Sequence, residues 1–161
     1  AMVAIQRGNL LDSAAPNPSV ETLLHAFIPH KFVDHTHANA VLALCDRPDG
    51  MALCRKVYGS RAAIVPYVMP GFALALKAKE VFDAHPQCEG LILHKHGIFT
   101  FGGSACEAYD RMINLVEEGV DAAATAIASA TGRSVPNCGR VKWNGPSSTS
   151  RVRRNNVCTA K

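Results

Sequence analysis

Apolar residues along this chain recur in two rhythms, and the switches between them mark out its elements. Val20, Leu23, Leu24, Phe27 and Ile28 keep helical spacing behind Ser19, which reads as an N-cap, and Pro29 helps end the helix. Residues 32–37 form a short strand candidate, and 50–58 a second helix that closes at Gly59. "AAIVPYV" (62–68) reads as a strand, and Pro70-Gly71 as the turn before a helix over 72–84. "GLILHKHGIFTFG" (90–102) reads as strand, break at Gly97, strand. The longest helix begins near Ser104, with Ala105, Ala108, Tyr109, Met112, Val116, Val120, Ala123 and Ile127 as its buried stripe. Residues 1–17, with Gly8, Pro16 and Asn17, read as an irregular lead-in. Helices and strands alternate throughout, which predicts a three-layer α/β domain over 1–131.

Composition narrows the class. With 161 residues and 48% hydrophobic content the chain suits one domain with a real core. No run approaches the roughly 20 apolar residues of a membrane span, and no signal-peptide order opens the chain, so the cytoplasm is the expected location. Six cysteines without C-x-x-C spacing read as reduced thiols, not as a zinc ribbon or redox pair. The net charge of +4 is unevenly spread: residues 122–161 hold seven basic groups and no acidic one. A nucleic-acid arm is the sharper reading of that tail. A solvated, poorly ordered terminus over 132–161 is favoured, because only Trp143 interleaves the charges. Neither a Walker loop nor G-x-G-x-x-G follows a strand, so nucleotide binding has no support.

The chemistry concentrates in histidine. "KFVDHTHANAVLAL" (31–44) places His35 and His37 two apart in a strand, hence on one face. "LHKHG" carries a second pair, His94 and His96, at another strand end. Imidazole suits zinc and its neighbours, and a catalytic zinc typically takes three protein ligands. On spacing alone, the two pairs are balanced between a metal site and partly exposed, hydrogen-bonded histidines. Glu21, just ahead of the first helix, could be a ligand, a proton-transfer base or a helix-start charge.

"PSVETLLH", "HTHANAV", "KHGIFTFG" and "EAYDRM", in that order over about residues 18–117, resemble the class II aldolase/adducin family of zinc-dependent sugar-phosphate aldolases and epimerases. More narrowly, "PSVETLLHAFIPHKFVDHTHA" and "VPYVMPGFALA" are similar to the aldolase half of bifunctional aldolase/short-chain dehydrogenase proteins associated with rhamnulose-1-phosphate. The resemblance implies an α/β/α fold around a central mixed, mostly antiparallel sheet. It makes His35, His37 and His96 the zinc ligands and Glu21 the acidic residue that closes the coordination sphere or moves a proton. Ser19 falls on a hydroxyl position that in some members helps hold the substrate phosphate, and Val20 stands where a second serine is common. His94 is left as a residue supporting the site or exposed at the strand end, and His25 as a group that orients the site or lies at the surface.

The implied reaction is zinc-assisted cleavage of a ketose phosphate to dihydroxyacetone phosphate and an aldehyde, L-lactaldehyde if the narrower resemblance holds. A sugar-phosphate 4-epimerase and a non-catalytic adducin-like structural module are the alternatives. A sugar phosphate is the expected small-molecule partner, with neither nucleic acid nor membrane, and the resemblance implies a homotetramer. Family members carry a glycine-rich phosphate loop well upstream of the acidic residue. "RGN" at 7–9 lies too close to Glu21 to be that loop. The domain is therefore expected to be N-terminally truncated, turning over substrate weakly or not at all.

Overall fold

The computed structural model describes residues 2–132, apart from the side chain of Ala130; the expected tail over 132–161 lies, from residue 133 on, outside the described residues. Ten elements follow in order: α1 (Met2–Gly8), α2 (Thr22–Phe27), β1 (Phe32–Thr36), α3 (Asn39–Cys45), α4 (Gly50–Tyr58), β2 (Ala62–Val65), α5 (Phe72–Ala84), β3 (Gly90–Leu93), β4 (Gly97–Gly102) and α6 (Ala105–Thr131). The strands form one mixed sheet in the order β1-β4-β3-β2, with β1–β4 and β3–β4 antiparallel and β2–β3 parallel. This is the expected mixed, mostly antiparallel sheet.

Strand alternation divides the core into two slabs. Ala63, Val65, Leu91, Leu93, Phe99 and Phe101 point to one face, where Leu24 and Ile28 of the α2 region and Leu74, Ala75, Ala78 and Phe82 of α5 cover them. Ala62, Ile92 and Ile98 point to the other, beneath Val41, Leu44 and Cys45 of α3, Cys54 and Tyr58 of α4, and Met112 and Leu115 of α6. Helices thus lie on both sides, as a three-layer α/β/α domain requires. Burying a side chain such as Leu91 or Ile98 in either slab contributes about 1.5–3 kcal/mol.

Several local expectations are corrected. The lead-in contains α1, although that helix buries none of its residues. The apolar run after His37 turns into α3, which was missed. β2 stops at Val65, because Pro66 has no N–H to extend the ladder. The break between the last two strands falls on His94–His96: Lys95 takes the positive φ of 60°, and Gly97 is already in β4. On α6 the buried face is Ala108, Met112, Leu115 and Gly119, whereas Tyr109, Val120 and Ile127 are exposed. The start of α6 is as expected. The Glu107 N–H donates to Ser104 Oγ at 3.1 Å, and Gly103 N–H donates to the Glu107 carboxylate at 2.7 Å.

Candidate metal centre

Sheet register brings the histidines together. β1 runs antiparallel to β4 with His35 opposite Phe99 and Thr36 opposite Ile98. Continuing that register carries His37 to the level of Gly97, next to His96. The backbone can come this close because residue 97 has no side chain. A Cβ there would lie 2.6 Å from Thr36 O, 2.8 Å from His37 Cδ2 and 3.3 Å from His35 Cε1. Glu21 reaches the same point from the turn before α2. There Ser19 Oγ accepts its N–H at 3.1 Å and donates to its carboxylate at 3.3 Å.

The resulting group is compact. One donor atom each from Glu21, His35, His37 and His96 lie within 4.8 Å of one another. Glu21 Oε1 is 2.8 Å from His96 Nε2, 3.2 Å from His35 Nε2 and 3.6 Å from His37 Nε2. The Nε2 atoms of His35 and His37 are 2.9 Å apart. Side chains of His35 and His96 are nearly buried, at 9% and 11% exposure, whereas His37 is 54% exposed, so the centre opens on the His37 side.

The hydrogen bonds assign the chemistry of His35. Its Nδ1–H donates to the carbonyl of Ile98 at 2.9 Å, which leaves the Nε2 lone pair facing the cluster. Phe99 stacks on the same ring, with centroids 4.0 Å apart and planes 12° apart, and fixes its orientation. That bare nitrogen, a carboxylate oxygen and two more imidazole nitrogens converge on one point. Either protons on His37 and His96 or a single cation must hold them together. Burial holds the His35 pKa below its usual value, even against the Ile98 bond and the Glu21 charge, and so favours the neutral, ligand-competent ring. Burial pushes the Glu21 carboxyl up, but the His96 hydrogen bond and the charges of His35 and His96 outweigh it and keep the group ionised. A tetrahedral zinc with bonds near 2.0–2.1 Å sets its ligands about 3.3–3.4 Å apart. The four spacings of 2.8, 2.9, 3.2 and 3.6 Å bracket that value. Three imidazoles and one carboxylate fit a divalent transition metal in both chemistry and size.

The structure thus brings together the three histidines expected as metal ligands and Glu21, expected as the catalytic residue. Ser19 is exposed and bonded to Glu21; it does not cap α2, whose boundary residue is Glu21 itself. His94 stands in the β3–β4 turn outside the donor set, its N–H on Val65 O at 3.0 Å and its Nε2 buried without a protein partner among the described residues. His25 is exposed and meets the edge of Phe99 at 5.2 Å, on the ring that also stacks on His35. Sequence reading missed Phe99 and the Ile98 carbonyl, whose roles depend on a β1–β4 pairing across more than sixty residues. Cys45 was missed as well: the backbone N–H groups of Lys95 and His96 lie against its buried sulfur and steady the turn that carries His96.

Comparison with known proteins gives the family. Residues 1–118 match the family described as Class II Aldolase and Adducin N-terminal domain, and the chain belongs to that family. It is 40% identical over 109 residues to the Uncharacterized oxidoreductase YuxG of Bacillus subtilis (strain 168), covering 68% of this chain and 16% of that protein. The N-terminal class II aldolase domain of a conserved protein from Thermoplasma acidophilum is 41% identical, with a TM-score of 0.66 over 75% of this chain and 55% of that one. A sugar-phosphate aldolase from Thermotoga maritima shares the fold at 23% identity, with a TM-score of 0.57 over 74% of this chain and 57% of that one. The chain thus spans about half the length of these structures and a far smaller part of YuxG. Among the described residues no helix is long and apolar enough to cross a membrane.

Proposed function

We propose that this chain carries the metal centre of a class II aldolase-type lyase, with zinc as the ion and a ketose phosphate as substrate. The observation that carries the proposal is the convergence of three imidazoles and Glu21 within 4.8 Å, with the His35 tautomer fixed by Ile98. His35, His37 and His96 would hold the ion. When bound, such an ion supplies Lewis-acid polarisation of a substrate carbonyl. Glu21 is the group suited to move a proton at the reacting carbon. Its carboxylate is ionised, it stands at the N-terminal boundary of a six-residue helix, and Ser19 donates to its second oxygen. The half-exposed His37 leaves the side from which substrate would enter. Rhamnulose-1-phosphate is the substrate that the sequence resemblance favours, with dihydroxyacetone phosphate and an aldehyde as products. A cytoplasmic homotetramer is the assembly it favours.

Metal analysis of the purified chain beside a His35→Ala variant tests the centre: one divalent ion per wild-type chain and its loss in the variant are expected. A coupled assay for triose phosphate, run on zinc-loaded protein with rhamnulose-1-phosphate, tests the reaction. Release of only an epimer from a pentulose phosphate would make the protein a 4-epimerase. Metal binding with no turnover would make it an adducin-like structural module. Size-exclusion chromatography with light scattering tests the tetramer.

A further inference from the structure

Helix α6 carries more apolar surface than its own domain covers. Its buried line, Ala108, Met112, Leu115 and Gly119, presses close to α3 and α4: a Cβ on Gly119 would stand 2.8 Å from Tyr58 Oη and 3.6 Å from Ala40 O. A second line runs beside the first, through Tyr109, Ile113, Val116, Val120, Ala123 and Ile127. Tyr109, Val120 and Ile127 are 52%, 49% and 59% exposed, and the other three are half-buried. Steps of four, three, four, three and four residues are the heptad spacing of a helix-pairing seam. α4 meets α6 across a cleft lined by Glu118, Thr125 and Ser129, which lie on the opposite side of the helix from this seam. α6 packs on β4 and β1, and α4 on β2. The open flank therefore looks out on the side of β1, the strand at the end of the sheet. An exposed apolar line beside an unpaired strand edge marks an interaction surface.

The spacing identifies what covers it. The six positions read the same from either end: 109 matches 127, 113 matches 123, and 116 matches 120. A second α6 laid antiparallel sets Tyr109 against Ile127, Ile113 against Ala123 and Val116 against Val120, so the alanine meets a large side chain. A parallel pair would set Ala123 on Ala123 and leave a gap. Charge agrees with the antiparallel choice. Asp110 and Glu117 border the N-terminal half of the seam, whereas Ala124 and Ala128 border its C-terminal half. Antiparallel alignment brings Asp110 to the uncharged end of the second copy and leaves only Glu117 beside its symmetry mate.

We infer that this flank of α6 is an interface between two copies of the chain, packed antiparallel about a two-fold axis between Val116 and Val120. The inference goes beyond the proposed function and does not depend on the metal centre. A seam of about 27 Å, at 1.5 Å per residue, belongs with small interfaces of roughly 1,200 Å² in total, so association is expected at micromolar concentration.

Sedimentation equilibrium of the full chain, at concentrations up to roughly 200 μM, provides the test. The wild type should form a dimer or a multiple of one. Val120→Glu should halve that mass, with association at least roughly thirtyfold weaker, because the new carboxylate would be buried in the seam. Leu76→Glu, at an exposed apolar position of α5, should leave association unchanged. Glu117→Gln should tighten it roughly two- to fivefold at low salt by removing the repulsion at the axis. Circular dichroism and zinc affinity of each variant separate misfolding from lost association. A monomeric wild type would overturn the inference and give the seam another occupant, as would association that Val120→Glu leaves intact. Unchanged or weaker association in Glu117→Gln would overturn the antiparallel alignment. None of these outcomes bears on the lyase reading.

Discussion

Substituting Gly97 by alanine is the sharpest probe of how the sheet builds the centre. The backbone at 97 is not in the left-handed region, so the added methyl acts through contact alone. It would stand 2.6 Å from Thr36 O and 2.8 Å from His37 Cδ2, where carbon contacts normally begin near 3.4 Å. Thr36 O is backbone and cannot rotate away, so the end of β1 must move out by the better part of an ångström, taking His37 with it. Overpacking of this kind costs about 1–3 kcal/mol of stability. Disturbing groups that orient metal ligands typically costs 10–100-fold in affinity, and a displaced ligand falls at the upper end of that range. The two effects are separable by linkage. With zinc at 100 times its Kd, the wild type gains about 2.7 kcal/mol from the metal, and a 100-fold weaker variant gains only about 0.4 kcal/mol. Urea titrations with and without zinc would measure both terms. Leu115→Ala serves as the control, since that side chain is buried under α6 in the other slab. It should lose about 2–5 kcal/mol while keeping the full metal-dependent gain. A Gly97→Ala protein that kept that gain would refute the claim that residue 97 sets the distance between β1 and His96.

Three further outcomes follow from the same structure. Burial lowers the His35 pKa from its ordinary 6.5, so between the two values the unfolded chain binds more protons. Stability of the metal-free protein should be complete above about pH 6.5 and decline as the pH falls below it, and His35→Gln should flatten that slope in urea titrations; an unchanged slope would refute the assignment. Burial pushes Cys54 up to about 12 and also raises Cys45 and Cys88, whereas Cys106 is exposed and raised chiefly by its bond to Asp110. Peptide mapping after alkylation of the folded protein should therefore find Cys106 labelled ahead of those three, which should react only after unfolding. Ser104→Ala removes the N-cap of α6 and should cost about 1 kcal/mol in urea titration, most of it recovered by Ser104→Asp.

What the sequence discloses and what it withholds have physical causes. A strand puts residues i and i+2 on one side, so His35 and His37 were readable as a pair without any structure. Their meeting with His96 depends on β4 pairing with β1 instead of following only its chain neighbour β3, and local patterns do not encode that choice. The α6 stripe failed for a related reason. Tyr109, Val120 and Ile127 fit an apolar period as well as Leu115 does, and only the sheet beneath decides which side of the helix faces inward. α3 was hidden because "NAVLAL" carries no polar residue after Asn39 to reveal a period.

The turn at 94–96 shows how a misplaced local feature can still border the donor cluster. Gly97 was expected to supply the change of direction, since glycine is the cheapest residue at positive φ. The chain instead spends that conformation on Lys95 and uses the glycine for space, letting two strands approach closely enough for His35, His37 and His96 to face one carboxylate. Both choices run against stability: a lysine in the left-handed region is strained, and a glycine in a central strand is a weak strand former. Neither is explained by the core, which Leu93 and Ile98 complete on either side of the turn. Both are explained if the segment was shaped to hold donor atoms 2.8–3.6 Å apart. Local choices that disagree with local propensity often mark where a protein acts, and Lys95 and Gly97 both adjoin His96.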